Sequence, residues 1–222
     1  MQTHSWLITI DGPAGAGKTT VSKMLARSLG YRYLDTGALY RGVAYEVLAK
    51  GVSADDDAGL GRVCDTLRLR FQGGRLMSSG VDISERIRSP EITMLASAVS
   101  ARPVVRRALL DIQRQEGRKK RLVAEGRDMG TVVFPDADLK FFLDASARRR
   151  ALRRFRQYGQ QGAQTLEQIE ADIRRRDAAD SNRDAAPLKA ADDAVIIDST
   201  DMDAQNVVDT MLGYVRAMNS AG

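Results

Sequence analysis

The stretch Gly12-Pro13-Ala14-Gly15-Ala16-Gly17-Lys18-Thr19 constrains this chain more than any other. It satisfies G-x-x-x-x-G-K-[ST], a spacing in which glycines, a lysine and a hydroxyl converge on a phosphate chain. Ahead of it, Trp6, Ile8 and Ile10 fall on one side of an alternating run and Leu7 extends the apolar stretch, which reads as a buried strand. Behind it, Val21, Met24, Leu25 and Leu29 recur at helical spacing. Strand, glycine loop and helix together separate this motif from a glycine turn that merely caps a helix. Glycines let the main chain approach a phosphate closely. The loop N–H groups then form an anion-binding concavity, and the helix adds the positive end of its dipole. Lys18 can reach β- and γ-phosphates, and the Thr19 hydroxyl can ligate Mg²⁺.

The rest of the chain reads as an α/β protein. Tyr31 to Leu34 forms a short second strand ending at Asp35-Thr36-Gly37, and helical spacing resumes through Leu39, Val43, Val47 and Leu48. This β-loop-α-β-α order favours a parallel sheet with helices on its faces. Between Ser53 and Ser89 the texture changes. Leu67 to Phe71 alternates strictly, Gly73-Gly74 marks a hairpin, and Arg75–Met77 and Val81–Ile83 are further short strands, so a small antiparallel insert is expected. Helices return from Pro90 and again from Pro103. Leu122–Ala124 and Lys140–Leu143 read as strands, Ala194–Asp198 as the last strand, and Val207–Met218 as a closing helix. Glu125-Gly-Arg-Asp-Met-Gly130 follows a strand at its carboxyl end, where ligands of open parallel sheets bind.

Composition narrows the function classes. The chain has 222 residues, 43% of them hydrophobic, enough for a core with small subdomains. Formal net charge is +5, carried by arginine clusters, which suits an anionic partner. Cys64 is the one cysteine and His4 the one histidine, so an internal disulfide and a Cys/His zinc site are both excluded. Cys64 reads as a buried apolar residue and His4 as exposed. There is no long apolar run, and the first residues lack the pattern of a signal peptide, so a cytoplasmic protein without a membrane segment is expected. None of Asn182, Asn206 and Asn219 opens an Asn-Lys-x-Asp tetrapeptide, which lowers a guanine-nucleotide switch. Between Ala147 and Tyr158 stand Arg148, Arg149, Arg150, Arg153, Arg154 and Arg156. Gly159 and Gly162 follow, and then a second helix through Leu166, Ile169 and Ile173. A hairpin of this kind suits a lid that closes over phosphates and excludes water, which matters where water would compete as acceptor.

Six motifs stand in order: Asp11-Gly-Pro-x-Gly-x-Gly-Lys18, Leu34-Asp-Thr-Gly-Ala-Leu-Tyr-Arg41, Glu125-Gly-Arg-Asp-Met-Gly-Thr131, Phe142-Leu-Asp-Ala145, Arg176-Asp-x-x-Asp-Ser-x-Arg183 and Ala186-Pro-Leu188. Together they resemble the bacterial cytidylate kinases of the nucleoside monophosphate kinase group, over essentially the whole chain. The resemblance implies a P-loop NTPase-type parallel sheet wrapped by helices, with an antiparallel β insert and a helical lid. It implies a core of residues 1–36, 104–150 and 174–222, a monophosphate-binding region at 37–103 and a lid at 151–173. The implied reaction is phosphoryl transfer from ATP to CMP or dCMP with Mg²⁺, by a monomer, with no nucleic-acid or membrane partner. Matched by motif, Gly12, Pro13, Ala14, Gly15, Ala16, Gly17, Lys18, Thr19 and Thr20 hold the ATP phosphates. Thr36, Tyr40 and Arg41 serve the acceptor, Arg41 and Arg127 bind its phosphate, and Ser97 and Arg106 lie near the base. Asp128 also faces the nucleotide, and Arg176, Asp180 and Arg183 contact sugar and base. Lys18, Arg127 and the lid arginines Arg150 and Arg154 are the catalytic cations, and Thr19 the metal ligand.

Cytosine presents an amino donor at C4, which a carboxylate accepts; uracil presents a carbonyl there, which a carboxylate repels. Asp128 is the better candidate for that selection and Asp180 for the sugar. Plainer readings stand beside these. Arg127 and Asp128 can pair with each other, and Asp180 with Arg176 or Arg183. Ser97 can be a small packing residue, and Asp144 a helix cap. Ala179 and Ser181 stand where some relatives carry arginines, which bears on the sugar contacts. The rivals are a kinase of another small acceptor such as UMP, a nucleic-acid-binding ATPase and a non-enzymatic nucleotide sensor.

Overall fold

The computed structural model describes residues 5–158, 164–183 and 185–221. His4 and the expected glycine tip at Gly159 and Gly162 lie outside them. The chain forms two compact units. One comprises the residues up to Leu34 together with those from Lys119 on; the other is Asp35–Arg118.

The first unit is built on a parallel sheet. Strand β1 (Leu7–Asp11) is buried along its whole length. A central parallel strand covered on both faces needs such a continuous apolar run. The glycine loop leads into α1 (Lys18–Leu29), which ends at Gly30 in the left-handed conformation, its N–H returning to the Ala26 and Arg27 carbonyls. Strand β2 (Arg32–Asp35) closes the first segment. In the second unit lie α2 (Thr36–Ala49), α3 (Asp57–Asp65), β3 (Leu69–Gln72), β4 (Arg75–Ser78), β5 (Val81–Asp82), α4 (Pro90–Ser100) and α5 (Pro103–Gly117). The chain then returns through β6 (Leu122–Glu125), β7 (Leu139–Asp144), α6 (Ala147–Tyr158), α7 (Leu166–Asn182), β8 (Val195–Asp198) and α8 (Ala204–Ala221). The sheet order is β2-β6-β1-β7-β8. Register places Ile10 opposite Glu125 on one side of β1 and opposite Phe141 on the other. The carboxyl ends of β1, β6 and β7 therefore open side by side, and the glycine loop leaves from the middle one. Ile8, Ile10, Leu25, Val123, Phe141, Leu143, Val208 and Met211 make one core cluster. A smaller cluster of Ala151, Ile169 and Ile173 joins α6 to α7.

The second unit has its own core, including Leu39, Val43, Val47, Leu60, Leu76, Ile83, Val99 and Leu109. Its three strands are antiparallel in the order β3-β4-β5, as the alternating pattern and the Gly73-Gly74 turn require. Asp35 caps α2 by accepting from the Ala38 N–H at 2.9 Å, and α4 and α5 both begin on a proline.

Several boundaries differ from the sequence reading. The strand expected from Leu67 starts at Leu69, because the Leu67 N–H is spent on the Cys64 carbonyl as α3 ends. Cys64, expected to be buried, is half-buried. Helix α5, assigned from the sequence to the core, packs on α3 and belongs to the Asp35–Arg118 unit. The turn of π-helix at Met129–Val133 has no periodic signature and was not foreseen.

Candidate active site

Two glycines of the loop have distinct reasons to be glycine. At Gly12, φ is +146°, and an added Cβ would lie 2.0 Å from the Leu143 carbonyl oxygen. No side chain fits between β1 and β7 at that point. Gly17, at φ +96°, turns the chain directly into α1. Lys18, the first residue of that helix, is only 8% exposed. Its Nζ donates to the carbonyls of Gly12 and Pro13, each at 2.8 Å. Burial pushes its pKa down to about 7. Arg127 adds repulsion, while Glu125 and Asp11 pull the other way.

Thr19 and Thr20 are exposed at the start of α1. The Thr19 hydroxyl donates to Glu125 Oε1 at 2.8 Å, and the Tyr33 hydroxyl donates to the same oxygen at 2.5 Å. Glu125, buried at the end of β6, was not among the site residues read from the sequence. The available signal was its place at the carboxyl end of a strand beside β1. Asp11 likewise lies outside the expected site residues. Its two carboxylate oxygens accept from the backbone N–H groups of Met129 (2.8 Å) and Gly130 (2.7 Å), which ties β1 to the turn after Arg127 and Asp128. Burial raises its pKa to about 6 against the lowering effect of those two bonds.

The residues of this unit expected at the acceptor pair crosswise. Arg127 Nε donates to Asp180 Oδ2 at 3.2 Å, and Arg183 Nη2 stands 4.0 Å from Asp128 Oδ1. Each arginine thus meets the aspartate of the other segment. Asp128 is only 2% exposed, and Arg183 Nε also donates to the Ala186 carbonyl at 2.6 Å. Arg176 lies half-buried on α7 and adds to the positive field at Lys18.

Helix α6 distributes its arginines among different tasks. Arg148 pairs with Glu167 and Glu170 of α7, and Arg149 donates to the Thr200 carbonyl. Arg150, expected as a phosphate-contacting lid residue, is 5% exposed. Its three nitrogens donate to the Ala145 carbonyl, the Ala14 carbonyl and Asp177. Arg154 is half-buried. Asp144 does not cap α6: the Arg149 N–H goes to the Ser146 hydroxyl at 3.2 Å, and Asp144 accepts from the adjacent Ala145 N–H.

Within the Asp35–Arg118 unit, Thr36 is buried at the first turn of α2, with Tyr40 and Arg41 following on that helix. Arg41 forms an ion pair with Asp35 at 3.0 Å. The Arg106 guanidinium lies over the Tyr40 ring, 5.8 Å from its centroid, and donates to the Ser100 carbonyl. Ser97 is half-buried on α4. Among the described residues no cluster of three or more metal-ligating side chains occurs, and no helix is long and apolar enough to cross a membrane.

A parallel sheet whose central strand feeds a Gly-Lys-Thr loop, flanked by strand-end carboxylates and arginines, defines a P-loop kinase. The cytidylate kinase family model matches residues 8–217, and the chain belongs to that family. It is 47% identical over 221 residues to the cytidylate kinase of Geobacter sp. (strain M21), covering 97% of this chain and 95% of that one. To the cytidylate kinase of Geobacter sulfurreducens it is 46% identical over 220 residues, covering 97% and 94%. Among solved structures, a gluconokinase from Sinorhizobium meliloti shares the fold, with a TM-score of 0.52 at 13% identity over 96% of this chain and 93% of that one.

Proposed function

We propose that this protein transfers the γ-phosphoryl group of ATP to the phosphate of CMP or dCMP, giving ADP and CDP or dCDP. The observation that carries the acceptor assignment is the buried Asp128. It sits beside Arg127 just past the end of β6, with Arg183 Nη2 4.0 Å away from across the strand ends. A carboxylate fixed there accepts from the cytosine amino group and repels the uracil carbonyl.

The reaction needs positioned charge more than covalent chemistry. Lys18 leaves the Gly12 and Pro13 carbonyls for the β- and γ-phosphates, exchanging two neutral acceptors for anionic ones. Loop N–H groups and the N-terminus of α1 take up the remaining phosphate charge. The hydroxyl of Thr19 and the carboxylate of Glu125 are hard oxygen donors 2.8 Å apart at the loop, which fits Mg²⁺. The two residues would hold that ion there, directly or through its waters, and its charge would neutralise the phosphate oxygens. Arg127 exchanges Asp180 for the acceptor phosphate, freeing Asp180 for the sugar. In the Asp35–Arg118 unit, Arg41 offers its fork to the acceptor phosphate, with Thr36 and Tyr40 on the same helix, while Ser97 and Arg106 take the base. Arg154 serves the transferred phosphoryl, and Arg176 and Arg183 line the acceptor. Free nucleotides are the substrates of a monomeric cytoplasmic enzyme in this reading.

ADP formation from ATP and Mg²⁺ with CMP, dCMP, UMP or AMP offered separately tests it. Turnover is expected with the two cytosine nucleotides; protein that binds ATP but turns over none of the four would refute the acceptor.

A further inference from the structure

Two arginines of α6 point at the backbone of the phosphate loop. Arg150 Nη1 donates to the Ala14 carbonyl at 3.1 Å, and Arg153 Nη1 to the Ala16 carbonyl at 3.1 Å. They stand three apart on one helix face and take carbonyls two apart on the loop. Each guanidinium is anchored beyond the loop as well. Arg150 holds the Ala145 carbonyl and Asp177. Arg153 reaches the Ser199 hydroxyl (3.2 Å), the Ser199 carbonyl (2.6 Å) and the Met202 carbonyl (3.4 Å). The Ser199 hydroxyl itself contacts the Ala16 carbonyl at 3.4 Å. The loop also packs on this helix: a Cβ on Gly15 would lie 3.3 Å from the Arg150 Cβ.

Peptide geometry gives these contacts a consequence at the anion site. In a trans peptide the C=O of one residue and the N–H of the next point in opposite directions, and no cis bond occurs among the described residues. An Ala14 carbonyl held toward Arg150 sends the Gly15 N–H away from α6. An Ala16 carbonyl held toward Arg153 does the same for the Gly17 N–H. Rotation of either peptide would present an acceptor oxygen to a phosphate in place of a donor. Each of these peptides joins an alanine to a glycine, and the glycine side leaves that rotation less resisted by sterics.

We propose that Arg153, with Arg150 beside it, is a positioning residue of the ATP site, holding the loop's outward carbonyls so that the amide hydrogens face the phosphates. The proposal rests on the kinase reading above. It makes the first turns of α6 part of the loop's scaffold, a role that neither the motif nor the charge pattern discloses.

Arg153 is half-buried, which makes it the better target; Arg150 is buried. The test compares wild type with Arg153→Lys, Arg153→Met and Ser199→Ala. It measures binding of ATP and of inorganic tripolyphosphate, KM for each substrate, and the thermal midpoint. Lysine keeps the charge but cannot span three carbonyls and a hydroxyl. Both Arg153 variants are therefore expected to weaken ATP and tripolyphosphate alike, by about tenfold or more. KM for CMP should stay within about twofold, and Ser199→Ala should show a smaller loss of the same kind. Loss of ATP binding with tripolyphosphate unaffected would overturn the proposal, because the contact would then be with the nucleoside. So would full retention in Arg153→Lys, or a lower midpoint with unchanged affinities. If wild type bound both ligands yet phosphorylated neither CMP nor dCMP, the acceptor reading would fail while this comparison still decided the role of Arg153.

Discussion

Lys18 is held where its charge is poorly solvated, and that has two measurable consequences. Its pKa in the folded chain lies near 7, well below the ordinary lysine value. Stability from such a group is present above its unfolded pKa and lost as pH falls through the folded one. Replacing it with an apolar side chain removes that loss. Ligand-free Lys18→Met is therefore expected to unfold at the same or a higher temperature than wild type near pH 6, while turnover falls by about a hundredfold or more. Earlier unfolding of the variant at that pH would contradict the account. Triphosphate oxygens should restore the ordinary lysine pKa, so ATP binding at about pH 8 should take up protons. Calorimetry in buffers of different ionisation enthalpy reads that uptake directly, and Lys18→Met should abolish it.

At the scale of elements, the β1–loop–α1 unit depends on the close approach of Gly12 to Leu143. Gly12→Ala places a Cβ against the Leu143 carbonyl oxygen, and a backbone oxygen in a central strand cannot yield cheaply. The variant is expected to lose about 3 kcal/mol or more of stability together with most ATP binding; a urea titration and a binding curve near those of wild type would refute this. Most elements were legible beforehand, because strands β1, β6 and β7 are short apolar runs and α1, α2 and α5 carry apolar residues at helical spacing. What escaped notice has non-local causes. The π-turn at Met129–Val133 depends on Asp11, 118 residues away in the chain from Met129. The tasks of the α6 arginines are set by carbonyls of the glycine loop and of the segment after β8 and by carboxylates of α7, and six identical side chains give no hint of which meets which. The motif positions of Arg127, Asp128, Asp180 and Arg183 could be read, but their crosswise pairing required the fold that brings β6 and α7 together. Glu125, at the carboxyl end of β6, carries the same strand-end signal as Arg127 and Asp128.

For the molecule as a whole, two cores set the stability. Trp6, the one tryptophan, lies in the first unit, its indole N–H donating to Asn219 of α8. It is therefore a local reporter. Leu39 is fully buried in the other core, and Leu39→Ala is expected to cost about 2–5 kcal/mol. That loss should appear in far-ultraviolet circular dichroism during urea unfolding, with a smaller shift in Trp6 fluorescence. Coincident shifts in both signals would mean that the two cores melt as one.

Asp128 is the residue on which the choice of acceptor base rests. Turnover with CMP and with UMP, measured side by side for wild type and Asp128→Asn, tests that assignment most directly. Wild type should strongly prefer CMP, and the variant should lose at least about tenfold of that preference, since a buried partner made for the cytosine amino group has been altered. An unchanged ratio in the variant, or a wild-type enzyme that accepts UMP as readily as CMP, would contradict it.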